Sequence, residues 1–209
     1  MILDIPFYKN DKDGNQCMQV AMKIVLKHFL DKDYSLEELD KLTKRKKEKW
    51  TWTSQVVSVL YDLGLDVRYY SSVDLKDMLE GEGYVRKTMG KEADRILKFM
   101  DVPVVLDSIK KLLEYDIFEK KKLKFKEIED LIEKGAVPMM LIDYSKLSGK
   151  KGYNGHFVVV TGFDSSNTYY HESGPKDPEA NKKINKKKFI DAWNSKGTDN
   201  DVVIVFSKR

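Results

Sequence analysis

One cysteine and three histidines serve a chain of 209 residues, and each scarcity narrows the chemistry open to it. A lone cysteine, Cys17, has no partner for an internal disulfide. No crosslink therefore supports the fold, nothing asks for an oxidising compartment, and a cytoplasmic location is the expectation. The cysteine stands in no C-x-x-C pattern and the histidines in no H-x-x-x-H, so no metal site is expected. No apolar run approaches the ~20 residues that span a bilayer. The start, Met1-Ile-Leu-Asp-Ile-Pro6, lacks the basic region and apolar stretch of an export signal, so no membrane partner is expected. There is no G-x-x-x-x-G-K-[ST] and no G-x-G-x-x-G after a strand, which leaves a nucleotide cofactor unsupported, and no other cofactor is called for. Charge of one sign is also thin: 38 basic against 34 acidic residues leave +4, spread over short runs such as 44–47, 120–122 and 186–188. A nucleic-acid site gathers its charge on one face with aromatics interleaved, so these runs read as solvated surface and no nucleic-acid partner is expected.

What is present is a globular balance, 41% hydrophobic and 34% charged, long enough for one domain over residues 1–209. Ile2 to Tyr8 reads as an extended segment broken by Pro6, and Asn10 to Gly14 as a turn-forming stretch. Asn15 then suits an N-cap, and Cys17, Val20, Ala21, Ile24, Val25 and His28 follow at helical spacing, which puts Cys17 at a helix start. Ser35-Leu-Glu-Glu38 has the capping-box pattern of a second helix, and Thr53 to Leu63, closed by Gly64, predicts a third. Leu65 to Tyr70 reads as a strand. Residues 73–123 read mostly as a helical elaboration, followed by a helix over Phe125 to Glu133 and an apolar strand over Val137 to Ile142. Ser145 to Gly155 predicts a surface loop. His156 to Thr161, Thr168 to Glu172 and Val202 to Phe206 predict strands, with a short helix at Lys188 to Trp193. The order is that of an α+β fold, N-terminal helices packed on a C-terminal antiparallel sheet.

A thiol becomes a strong nucleophile when its pKa falls, through a helix N-terminus or an adjacent imidazolium. Cys17 has the first by position and gains the second if His156, at the start of its strand, faces it. The plain alternatives are a small buried hydrophobe for Cys17 and a structural histidine for His156. Glu172 lies on the strand after that of His156, and a turn at Asp164 to Asn167 would bring it near the level of the imidazole, where its carboxylate can orient the ring. The alternative for Glu172 is an ordinary strand glutamate. His171 should point to the opposite face and is left out of the site. Trp50 and Trp52 read as core or as the wall of a groove.

These residues resemble the C39-like peptidases, a papain-like family. Ile5-Pro-Phe-Tyr8, a polar loop and Cys17 opening an apolar helix are similar to the family's start; Gly155-His-Phe-Val-Val-Val-Thr-Gly162 is similar to its histidine strand. His171-Glu-Ser-Gly-Pro175 is similar to the acid segment, and the likeness extends more loosely over Asn185 to Trp193. The resemblance implies a papain-like fold and Cys-His-acid hydrolysis of a peptide or related amide bond, with Cys17 as nucleophile, His156 as general base and acid, Glu172 as the orienting acid, and a peptide or protein as substrate. Met18 stands where the family commonly has glycine, and Glu172 where it has aspartate. The family's oxyanion-hole glutamine finds Asn10 near its place, with Gln16 as the alternative. An acyl transferase using the same chemistry and a catalytically silent peptide- or protein-binding module remain open readings beside the hydrolase. Nothing in the sequence sets an oligomeric state.

Overall fold

The structure, a computed structural model, describes residues 1–11 and 15–209; Lys12 to Gly14, part of the turn-forming stretch, lie outside the described residues. Three helices come first: α1 (Cys17–Leu30), α2 (Leu36–Leu42) and α3 (Thr53–Asp62). Strand β1 (Leu65–Ser71) is followed by the helical elaboration, α4 (Leu75–Met78), α5 (Glu82–Met89), α6 (Ala93–Phe99) and α7 (Val102–Tyr115). Then come β2 (Phe118–Lys120), α8 (Phe125–Glu133), β3 (Val137–Asp143), α9 (Tyr144–Ser148), β4 (Gly155–Phe163), β5 (Asn167–Glu172), β6 (Glu179–Asn185), α10 (Lys186–Trp193) and β7 (Val202–Lys208). The strands form one seven-stranded sheet in the order β2-β1-β7-β3-β4-β5-β6, antiparallel except where β1 pairs with β2.

Alternation along the strands divides the interior into two layers. Val67, Met139, Phe157, Val159, Val203 and Val205 face α1, α3 and α7, which contribute Val20, Ile24, Val56, Leu60 and Ile109. Met140, Ile142, Val158, Val160, Val202 and Ile204 face α8 and α10, which contribute Ile128, Ile132, Phe189 and Trp193. Both faces being covered explains why the central strands read as continuous apolar runs. Each fully buried aliphatic side chain contributes about 1.5–3 kcal/mol, and α1 alone buries Val20, Met22, Ile24, Val25 and Leu26 at 1% exposure or less.

The capping box is present: Ser35 Oγ accepts from the Glu38 N–H at 3.1 Å and Glu38 returns the bond to the Ser35 N–H at 2.7 Å. Gly64 closes α3 with φ 95°, a left-handed conformation that glycine adopts freely. Elsewhere the expectations need correction. The N-cap of α1 is Gln16 rather than Asn15, and its side chain does not cap, because its amide donates to Asp40 Oδ2 at 2.8 Å. The expected loop over Ser145 to Gly155 begins inside helix α9, started by Asp143, whose Oδ1 accepts from the Ser145 N–H at 3.0 Å. Strands β2 and β6 were not anticipated.

The sheet register gathers several chain ends along one edge. Tyr70 of β1 and Met140 of β3 both pair with Val202 at the start of β7, and Ile142 of β3 pairs with His156 at the start of β4. The starts of α1 and α3 meet this edge as well: the Phe157 N–H points to the Cys17 sulfur, and Thr53 Oγ1 donates to Asp201 Oδ2 at 2.7 Å.

Candidate active site

Cys17 is the first residue of α1 and is partly exposed, while Met18 turns into the core at 8% exposure and so does not crowd the thiol. The side chain of His156 lies beside the Cys17 sulfur, near enough to act on the thiol's pKa. On its other side, His156 Nε2 meets Glu172 Oε1 at 2.8 Å, which leaves Nδ1 for the thiol. Glu172 Oε1 also accepts from the Gly174 N–H at 3.0 Å, a second bond that fixes the carboxylate. The adjacent antiparallel strands bring this about: Val159 pairs with His171, so Glu172 lies across from the residues just after His156, and its longer side chain covers the remaining offset.

Electrostatics follow from this contact. Burial pushes the Cys17 thiol up, but the hydrogen bond and charge of His156, with the N–H groups of Phe157 and Met18, outweigh it and leave the thiol below its ordinary 9.0. For His156, burial disfavours the charged ring, yet Cys17 and Glu172 prevail and raise it to about 10. Both shifts favour a thiolate–imidazolium pair at neutral pH.

Asn10 is held beside the end of β5, where its N–H donates to the Ser173 carbonyl at 2.8 Å and its Oδ1 accepts from the Asp11 N–H at 2.9 Å. Its amide nitrogen Nδ2 is buried with no hydrogen-bond partner among the described residues, as are Glu172 Oε2 and Ser173 Oγ at the same end of the strand. Buried polar groups are nearly always satisfied, so each of these three is open to a further hydrogen-bond partner. Gln16, the alternative to Asn10, is 6% exposed and committed to Asp40. His171 is engaged elsewhere: Nε2 bonds the Ile5 carbonyl at 3.2 Å and Nδ1 accepts from the Asn181 N–H at 3.1 Å.

Sequence reasoning missed the supports of His156. Asp143, 2% exposed, accepts from the N–H groups of Ser145 and Asn154 at 3.0 Å each and from Ser195 Oγ at 3.0 Å, tying α9 to the segment that enters β4. Tyr144 then packs against the imidazole in a T-shaped arrangement, with centroids 5.6 Å apart and planes at 72°. The Asp143-Tyr-Ser145 pattern, an acid bonding two residues ahead, was the available signal.

Among the described residues, no group of three or more His, Cys, Asp or Glu side chains is gathered as a metal ligand set, and no helix is long and apolar enough to cross a membrane. Two solved structures are similar over nearly the whole length. The peptidase domain of Streptococcus ComA, a bi-functional ABC transporter involved in a quorum-sensing pathway, is 14% identical, with 97% of each chain covered and a TM-score of 0.51. A double-glycine-motif protease from an AMS/PCAT transporter, in complex with the leader peptide, is 11% identical, with 98% of this chain and 93% of that one covered and a TM-score of 0.52. The fold is that of the C39 peptidase domains. No curated protein matches the sequence. A family model described as guanylylate cyclase matches residues 9–205, nearly the entire chain, and the protein is thus a member of the guanylylate cyclase family built on the C39 peptidase fold.

Proposed function

We propose that the protein is a cysteine hydrolase of a peptide or related amide bond. One observation carries the reading: the Cys17 thiol lies beside an imidazole whose Nε2 is bonded to Glu172 at 2.8 Å, an arrangement that favours a thiolate. Cys17 Sγ attacks the carbonyl carbon. The carbonyl oxygen takes up the negative charge and is met by Asn10 Nδ2 and by the Cys17 N–H, which as the first of the helix has no acceptor within it. The C–N bond breaks as His156 gives its proton to the leaving amine, forming a thioester. His156, now neutral, takes a proton from water, the hydroxide oxygen attacks the thioester, and the carboxylic acid departs as the thiolate returns. Incubation with a mixed peptide library followed by mass spectrometry of the products should show new carboxyl ends in the parent and none in Cys17→Ala. A library returned intact by the parent sinks the reading.

A second reading comes from the description of the matching family, cyclisation of GTP. That reaction joins the ribose 3′ oxygen to the α-phosphorus and releases pyrophosphate, and a thiolate has no bond to make in it. Supplying GTP with magnesium or manganese and assaying cyclic GTP separates the two, since the product should form in Cys17→Ala as in the parent if cyclisation is the activity.

The role of Glu172 is separable from that of an ordinary strand residue. Glu172→Ala should lower turnover by about tenfold or more and Glu172→Gln by less, because glutamine still accepts a hydrogen bond from the ring. Both should lower the His156 pKa, since a nearby negative charge is gone. Turnover and an NMR titration of His156 that match the parent in both variants would reduce Glu172 to a strand residue.

A further inference from the structure

Two strands along the same sheet edge from His156, the start of α3 and the turn before β7 enclose a second polar site. A cavity of about 20 Å³ is lined there by Trp52, Thr53, Tyr69, Ser71, Asp199 and Asp201, among others. Asp201 is 6% exposed; its Oδ2 accepts from Thr53, and the hydroxyls of Tyr69 and Ser71 lie near it, but its Oδ1 is buried without a hydrogen bond of ordinary geometry. The indole Nε1 of Trp52 is buried without a hydrogen-bond partner among the described residues as well. Among the described residues, neither Asp199 nor Asp201 has a cation beside it. Burial, compounded by the charge of Asp199, pushes Asp201 up to about 7, and burial alone raises Asp199. Val73 lines this cavity and also a larger one, about 360 Å³, that carries Asp74, Asp77, Glu80 and Tyr84. Five carboxylates thus line the two cavities against two lysines, Lys87 and Lys120, and Lys120 already faces Asp74 at 3.6 Å.

Asp201 is a buried carboxylate and Asp199 a half-buried one beside it; the hydroxyls of Thr53, Tyr69 and Ser71 offset part of the cost of burial, but no cation stands by either acid among the described residues. Their complement is a positive group. With no set of three ligating side chains at hand among the described residues, the fitting cation is organic, and the aromatic side chains of Trp52 and Tyr69 are among those that line the cavity. The smaller cavity has room for one ammonium-sized head, while the larger one can take a stem. The distance from β4 to β7 is two strand spacings, about 10 Å, which equals roughly three residues of extended peptide. We infer that the Asp199–Asp201 cavity binds the ammonium head of a lysine side chain, placed within about three residues of the bond that Cys17 attacks. The substrate part of this inference rests on the hydrolase reading; the binding part does not.

The test uses the full-length Cys17→Ala variant, so that nothing is turned over, and follows the indole N–H signals by NMR. Titration with n-butylammonium should shift the Trp52 signal saturably, whereas n-butanol, its neutral match, should not. A blocked alanine pentapeptide with a central lysine should bind about tenfold or more tightly than the same peptide with norleucine, the scale of a charged hydrogen bond. Asp199→Asn and Asp201→Asn, each made in the same background, should erase that preference; Asp199→Asn decides alone if loss of the Thr53 contact unfolds the other. Equal binding of the two peptides, or a preference that survives Asp199→Asn, overturns the inference, as does n-butylammonium binding with no lysine preference. A parent protein that prefers the lysine peptide yet cleaves nothing leaves the cation site standing and removes the hydrolase reading.

Discussion

Alanine at either Cys17 or His156 should reduce hydrolysis by about 10⁴-fold or more, with the folded state retained in both as thermal melts can check, because residues of such a unit fail together. The thiol itself gives a readout that needs no substrate. Iodoacetamide should alkylate Cys17 at pH 6 much faster than a free thiol of pKa about 8.5, and His156→Ala should return the reaction to that of a free thiol. The pH profile carries the same signature. Activity should fall in acid as the thiolate is protonated, and again as pH rises through about 10, where the imidazolium gives up its proton. Stability follows the same signs. His156, raised by the fold, contributes below its unfolded value near 6.5 and loses that contribution as pH climbs through about 10. Cys17, lowered by the fold, contributes above its unfolded 9.0 and loses the contribution as pH falls through the folded value. An alkylation rate that tracks free cysteine from pH 5 to 9 would falsify the nucleophile assignment.

Asn10→Ala should lower kcat by about 10² to 10³ with little change in KM, the loss seen when one oxyanion donor is removed. Stability should respond far less than turnover. Asn10→Ala removes a buried donor, Nδ2, that has no partner among the described residues, together with the exposed bond that Oδ1 accepts from the Asp11 N–H, so melting should change little. Asn10→Asp keeps the shape but replaces the donor with an acceptor that repels the developing oxyanion, and it should be the slower enzyme of the two. Steady-state kinetics beside thermal melts decide the matter: near-parent kcat in both variants leaves only the helix N–H to hold the oxyanion.

The parts of this molecule that were legible in the sequence are those whose local signals agree with their tertiary use. Cys17 behind a polar stretch, the Ser35–Glu38 capping box, Gly64 and the strand beginning at His156 each combine a residue type with a position that admits few readings. Glu172 could be placed because pairing across one short turn is nearly determined by counting. Other features depended on contacts remote in the chain. Gln16 is drawn to Asp40, 24 residues away, and no local rule ranks that bond against capping. The polar sequence Glu179-Ala-Asn-Lys-Lys-Ile-Asn185 has no apolar alternation, since β6 lies at the sheet's end and buries little of either face. The Asp199–Asp201 cavity is assembled from α3, β1 and the turn before β7, and only folding brings these together.

The two ends of the sheet bear on how a polypeptide can approach the protein. One ends in β2, three residues long, and the other in β6, where Lys182 and Lys183 stand on the outermost strand. A short edge offers an incoming chain few main-chain groups, and a lysine-bearing edge repels a second copy of itself. Strand addition at the rim is therefore disfavoured, both as a route to self-templated assembly and as a way of seating a substrate. On the hydrolase reading, a polypeptide bound for Cys17 would lie across the strand ends instead, held by side-chain pockets more than by a backbone ladder.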